Sequence, residues 1–119
     1  MRYNDNVCLR YEHAIDIISK RWTPLILRVL LPGSLRFSEL ADRLGGVSDR
    51  MLSERLKELE REGILDRRVI PEAPIRVEYC LTAKGQALGP VVQAIECWSN
   101  EWIRLDADPE PEAEEQAAP

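Results

Sequence analysis

Apolar residues recur every three or four positions through the first half of the chain, which is the spacing of helices with one buried face. This pattern predicts a first helix over residues 11–19 and a second between Trp22 and Pro32. A short third helix is predicted over residues 37–43, and a fourth over residues 48–62. Polar and glycine-containing segments separate the four helices.

The pattern changes to a period of two after the fourth helix. Residues 64–70 and 75–82 are rich in β-branched side chains, and Pro71 and Pro74 bracket the turn between them. This arrangement predicts a β-hairpin. A long last helix is then expected over residues 83–105, capped by Thr82 and bent near Gly89-Pro90.

Plotted at 100° per residue, the fourth helix has an apolar face of Leu52, Leu56 and Leu59. A short helix with an opposite polar face, followed by a basic hairpin, is the arrangement of a winged helix-turn-helix. The predicted fold is therefore α+β, mainly α, and the polar face of the fourth helix is expected to enter the DNA major groove. The candidates to contact DNA from this helix are Ser48, Asp49, Arg50, Ser53, Glu54 and Lys57.

Arg50 is the strongest of these candidates, because a guanidinium can pair with the O6 and N7 atoms of guanine. Taken alone, the same face is equally compatible with an ordinary solvated surface. The hairpin favours DNA, because Arg67, Arg68 and Arg76 surround a short ribbon with few opposing acids. Such a ribbon suits phosphates or the narrow minor groove.

The net charge of −5 does not by itself favour a nucleic-acid partner. Residues 106–119 carry six acidic and no basic residues, which leaves 16 basic and 15 acidic residues in the remainder. We therefore divide the chain into one domain, residues 1–105, and an acidic disordered tail, residues 106–119. The near-neutral domain leaves open a second hypothesis, that it is a winged-helix protein-interaction module without DNA binding.

Other function classes find little support. No apolar run reaches the roughly 20 residues of a membrane span, and the N-terminus lacks a signal peptide, so a cytoplasmic protein is expected. The three cysteines have no metal-like spacing, and His13 is the only histidine. No enzyme, metal or cofactor is predicted.

Several segments together resemble the HxlR-type winged helix-turn-helix regulators of prokaryotes. They are Lys20-Arg21-Trp22-Thr23, Leu35-Arg36-Phe37-Ser38-Glu39-Leu40, Val47-Ser48-Asp49-Arg50-Met51-Leu52, Arg55-Leu56-Lys57-Glu58-Leu59-Glu60 and residues 69–82 with Lys84-Gly85. The second segment adds Arg36 to the candidate DNA-binding residues. The chain departs from the family pattern at Asp49, where many members carry a neutral residue, and in its acidic tail.

The resemblance implies a homodimer, built by the first and last helices, that reads an inverted-repeat operator in double-stranded DNA. A small protein without a second domain is expected to repress by occlusion, while any small-molecule effector stays unknown. The candidate interface residues are Ile15, Ile18, Val91, Ile95, Trp98 and Trp102.

Cys8 is a candidate redox sensor, because some members of the resembling family respond to quinones, aldehydes or disulfide stress through a cysteine at this position. It lies just before the first helix and close to Arg10. Oxidation could then shift the two recognition helices. The alternative, an ordinary cysteine without a sensing role, stays open.

Overall fold

The computed structural model describes residues 8–109. These residues form six helices and three strands. In chain order they are α1 (Leu9–Ile18), α2 (Thr23–Leu30), β1 (Leu35–Arg36), α3 (Phe37–Leu44), α4 (Asp49–Arg61), β2 (Leu65–Ile70), β3 (Arg76–Leu81), α5 (Ala83–Gln86) and α6 (Gly89–Trp102). The predicted α+β, mainly α fold is confirmed, and the first four helices and the hairpin lie within about two residues of their predicted bounds.

The three strands form one antiparallel sheet in the order β1-β3-β2. Leu65 pairs with Leu81 at the base of the hairpin, and Ile70 pairs with Arg76 near its tip. On the other side of β3, Leu35 pairs with Tyr79 and Arg36 with Glu78. The strand β1 was not predicted, because two residues are too few to show a period.

The core lies between the helices and one face of this sheet. Its side chains come from α2, α3, α4 and the sheet, with one contribution from α6 and one from the residue just before β2. They are Ile26, Leu27, Leu30, Leu35, Leu40, Leu52, Leu56, Leu59, Ile64, Leu65, Leu81 and Val92. The apolar face predicted for α4 is therefore confirmed.

The prediction of one continuous helix over residues 83–105 is wrong. The segment contains two helices, because α5 ends at Gln86 and α6 begins at Gly89. Pro90 has no N–H to donate to the carbonyl of Gln86, and its ring would clash with that carbonyl in an unbroken helix. Pro90 is tolerated in the first turn of a new helix, and α6 ends three residues before the predicted Leu105.

Among residues 8–109, no helix is long and apolar enough to cross a membrane.

Candidate nucleic-acid interface

The helices α3 and α4 form the helix-turn-helix unit, and two glycines make the turn between them. Gly45 and Gly46 adopt φ values of 58° and 90°, a region that side chains with a Cβ rarely enter. Ser48 then caps α4, since its Oγ accepts a hydrogen bond from the Met51 N–H at 3.0 Å. The predicted N-cap is confirmed, and α4 starts at a fixed point.

Burial on one side of α4 leaves a polar row on the other. Leu52, Leu56 and Leu59 are each at most 2% exposed. The opposite row follows a four-three-four spacing along the helix. It consists of Arg50, Glu54, Lys57 and Arg61, all exposed.

Of the other α4 candidates, Asp49 is exposed and Ser53 is half-buried. The Arg50 side chain is 90% exposed, and its Nε lies 3.4 Å from Glu54 Oε1. This exposed ion pair contributes little to stability, on the order of a few tenths of a kcal/mol. Arg50 can therefore exchange Glu54 for a base or a phosphate at small cost.

A polar cluster fixes the middle of α4 to the turn between α1 and α2. Arg55 Nε donates to the Arg21 carbonyl at 2.9 Å, and Arg55 Nη1 lies 2.9 Å from Glu58 Oε1. The other oxygen of Glu58 accepts from Lys20 Nζ at 3.1 Å. Burial raises the pKa of the Glu58 carboxyl, but the Lys20 hydrogen bond and the nearby cations outweigh it, so the net pKa lies below the usual value.

The same turn contains an unusual backbone conformation. Trp22, the residue before α2, adopts a left-handed φ of 77°, which is rare for a bulky side chain. Its ring packs against the core, and the Arg21 guanidinium lies 5.2 Å from the ring centroid. Packing and a cation–π contact thus hold this turn in a shape that presents the Arg21 carbonyl to α4.

Arg36 precedes α3, where β1 meets the helix. Its backbone N–H donates to Glu39 Oε1 at 2.8 Å, and this hydrogen bond, with the charges of Arg36 and Arg43, lowers the pKa of the Glu39 carboxyl. The Arg36 side chain remains exposed, with its Nε 3.7 Å from the same carboxylate.

We call the β2–β3 hairpin, residues 65–81, the wing. Strand pairing places Arg36 and Arg68 directly opposite Glu78, one on each neighbouring strand. Arg76 lies two residues before Glu78 on β3, so all four side chains share one side of the sheet. We call these four residues the basic sheet face.

Arg67 lies on the other side of the sheet, because it pairs with Tyr79 and successive strand residues alternate. The three wing arginines therefore do not act as one group. Arg76 also has more acidic neighbours than the sequence suggested, since Glu72 and Glu78 lie 3.4 Å and 3.1 Å from its guanidinium. Sequence reasoning missed Glu78, although its period-two spacing from Arg76 was a usable signal.

The predicted interface residues on α6 form one exposed apolar row. Val91, Ile95, Trp98 and Trp102 are 41%, 56%, 59% and 64% exposed, at a four-three-four spacing. The helix α1 has no buried residue. Its Ile15 is half-buried, and Ile18, also half-buried, packs against the protein's own core.

Cys8 is an exposed free thiol at the N-cap position of α1. Its carbonyl accepts the first hydrogen bond of the helix, from the Glu12 N–H at 3.0 Å. Among residues 8–109, no group of three potential metal-ligating side chains is found.

The sequence and structure are similar to those of known transcription regulators. An HxlR-like helix-turn-helix family model matches residues 17–107. The chain is 57% identical over 97 residues to YvaP, an HTH-type transcriptional regulator of Bacillus subtilis, covering 82% of this chain and 90% of that protein. It is 42% identical over 98 residues to YodB, an HTH-type transcriptional regulator of the same bacterium, covering 82% and 88%.

Solved structures of related regulators have the same fold as this chain. The reduced form of YodB from B. subtilis matches with a TM-score of 0.75 and 42% identity, covering 82% of this chain and 96% of that one. The redox regulator HypR in its oxidized form matches with a TM-score of 0.76 and 31% identity, covering 81% and 99%. The chain belongs to the HxlR-like helix-turn-helix family, whose relatives are transcriptional regulators.

Proposed function

We propose that the protein is a homodimeric transcriptional regulator, probing duplex DNA with α4 in the major groove and with the wing on the backbone or minor groove. The observation that carries this proposal is the division of α4 into two faces. Three leucines bury one face, while Arg50, Glu54, Lys57 and Arg61 leave the other free for a partner. Regulation by such a protein requires no catalytic step.

The polar residues of α4 and the arginines of the basic sheet face have different roles in DNA recognition. Arg50 and Lys57 on α4 contact base edges or nearby phosphates, and Glu54 can accept from a cytosine amino group. Ser48, Asp49 and Ser53 lie close enough to the start of α4 to contact the same groove. Arg36 and Arg68 contact phosphates and position the domain on the duplex.

A second copy of the chain completes the reading unit. The apolar row of α6 has the spacing of a helix seam, and its two tryptophans are more than half exposed in a single copy. A two-fold dimer presents two α4 helices to half-sites about one helical turn apart, or a multiple of it, so its operator is an inverted repeat. Bound across a promoter, such a dimer represses by occlusion.

Selection of bound duplexes from a random pool, followed by hydroxyl-radical footprinting, tests this proposal. We expect an enriched inverted repeat with two protected half-sites. The variant Arg50→Ala should lose about 1–3 kcal/mol of affinity for the selected site and relax the preference at one position. Failure to enrich any sequence, with equal weak binding to all duplexes, would favour the protein-interaction module instead.

A redox or electrophile switch through Cys8 is the second candidate function. The observation in its favour is that Cys8 is exposed at the start of α1, the helix that joins the Arg21 turn and hence α4. YodB has been solved in diamide-treated and quinone-bound forms, and HypR in oxidized and reduced forms. A disulfide or an adduct at Cys8 would alter the position of α1 and, through the turn, the spacing of the recognition helices.

Diamide treatment during a DNA-binding measurement tests the switch. We expect diamide to change the affinity of the wild type and to leave Cys8→Ser unchanged. Cys97→Ser is the matched control, since Cys97 is also an exposed free thiol. An equal diamide response in wild type and Cys8→Ser would show that Cys8 is not the sensor.

A further inference from the structure

Glu78 occupies the centre of the basic sheet face. Strand register places Arg36 on one side of it and Arg68 on the other, and Arg76 is its neighbour along β3. Directly opposed residues on adjacent strands have Cβ atoms about 4.5–5.5 Å apart. One carboxylate therefore lies within reach of three guanidiniums.

Of the three arginines, Glu78 contacts Arg76. Its Oε2 lies 3.1 Å from Arg76 Nε, as an ion pair outside hydrogen-bond geometry. Its Oε1 accepts from Ser34 Oγ at 3.3 Å, which fixes the carboxylate. Glu72 lies 3.4 Å from Nη1 on the other side of the guanidinium, so two carboxylates neutralise Arg76.

The other two arginines of this face are less restrained. Arg36 lies 3.7 Å from Glu39 in an exposed pair. No ion pair within residues 8–109 involves Arg68. Arg36 and Arg68 can turn toward a phosphate without breaking an ion pair to Glu78, whereas Arg76 cannot, and the Glu78 side chain is only 25% exposed.

We propose that Glu78 limits the affinity of the wing for the DNA backbone by holding Arg76 away from phosphate. This inference rests on the proposed DNA-binding function and assigns a positioning role to a residue that the function did not include. A negative charge among three arginines weakens the attraction of the whole face to phosphates. The restraint lowers specific and non-specific binding by similar factors, because phosphate contacts carry no sequence information.

Glu78→Gln tests this role, because the amide has the same shape and can still accept from Ser34. We expect binding to a selected duplex and to a shuffled duplex to tighten by roughly three- to ten-fold. The slope of log affinity against log salt should steepen by about 0.9, the value for one additional phosphate contact. The gain should disappear in the double variant Glu78→Gln/Arg76→Ala.

Two controls separate a local effect from a change in net charge or in folding. Glu101→Gln makes the same charge change at an exposed position of α6 and should leave both duplexes unaffected. Glu78→Asp keeps the charge and should behave as the wild type. Thermal unfolding of each variant shows whether the sheet remains intact.

The outcomes are distinct. If the wild type binds with a clear salt dependence but Glu78→Gln binds no more tightly, or with an unchanged slope, the restraint is refuted and the proposed function stands. Loss of folding in Glu78→Gln would make Glu78 a structural residue and would also refute the restraint. A wild type that binds no duplex would overturn both the inference and the proposed function.

Discussion

Trp98 offers the sharpest test of dimerisation, because it lies in the middle of the exposed apolar row of α6. Its side chain is 59% exposed in the single chain, and a tryptophan buries on the order of 150–250 Å² when it is covered. Trp98→Ala removes about 100 Å² of apolar surface from each protomer's share of the interface, or about 200 Å² from the dimer. At about 25 cal/mol per Å², that loss amounts to about 5 kcal/mol.

This figure is an upper value, because some of the side chain stays uncovered in a dimer. A loss of half that size is still roughly sixty-fold, since about 1.4 kcal/mol corresponds to a factor of ten. We therefore expect Trp98→Ala to raise the dimer dissociation constant by at least roughly fifty-fold.

Sedimentation equilibrium over a concentration series measures this constant directly. Ile75→Ala is the matched control, because Ile75 is 68% exposed but lies at the wing tip between β2 and β3, outside the apolar row of α6. It should leave the dimer unchanged. An unaltered dimer in Trp98→Ala, or a wild type that sediments as a monomer at all concentrations, would show that the apolar row of α6 is not a dimer interface.

Two further predictions concern stability. A Cβ at Gly85 would overlap the Ile64 carbonyl oxygen, so Gly85→Ala should lower the free energy of unfolding by about 2–3 kcal/mol in a denaturant titration. Gly33 is the control, because a Cβ there would meet nothing within 4 Å. Gly33→Ala should change the free energy of unfolding by less than about 0.5 kcal/mol. Glu58 has a lowered pKa in the folded state, so its stabilising effect is present above its unfolded pKa and is lost as pH falls through the folded value. Thermal unfolding between about pH 6 and pH 3 should therefore show a smaller loss of stability in Glu58→Gln than in the wild type, and equal slopes would contradict the assignment.

The helices were predictable from the sequence because their signals are local. The leucines of α4 repeat at the spacing of a helix face, and Ser48 is a residue type that caps helices, so both follow from neighbouring positions. The pair of Arg50 with Glu54 is also local, since it joins residues four apart.

The features that were missed depend on residues far apart in the chain. Arg55 contacts the Arg21 carbonyl, 34 positions away, and Glu78 meets Arg36 only after β1 has joined the sheet. The break before α6 is partly predictable, because Gly89-Pro90 indicates a disturbed helix, but the local sequence does not distinguish a bend from a break. Ion-pair partners across the sheet and the left-handed Trp22 need the assembled fold.

Whether the protein recognises a specific DNA sequence is best measured by comparing how the reduced protein binds the DNA upstream of its own gene and a shuffled duplex across a salt series. Fluorescence anisotropy gives both affinities at each salt concentration. We expect tight binding to the upstream DNA, weaker binding to the shuffled duplex, and a steep loss of affinity as salt rises. Equal binding to both duplexes, with little dependence on salt, would contradict it.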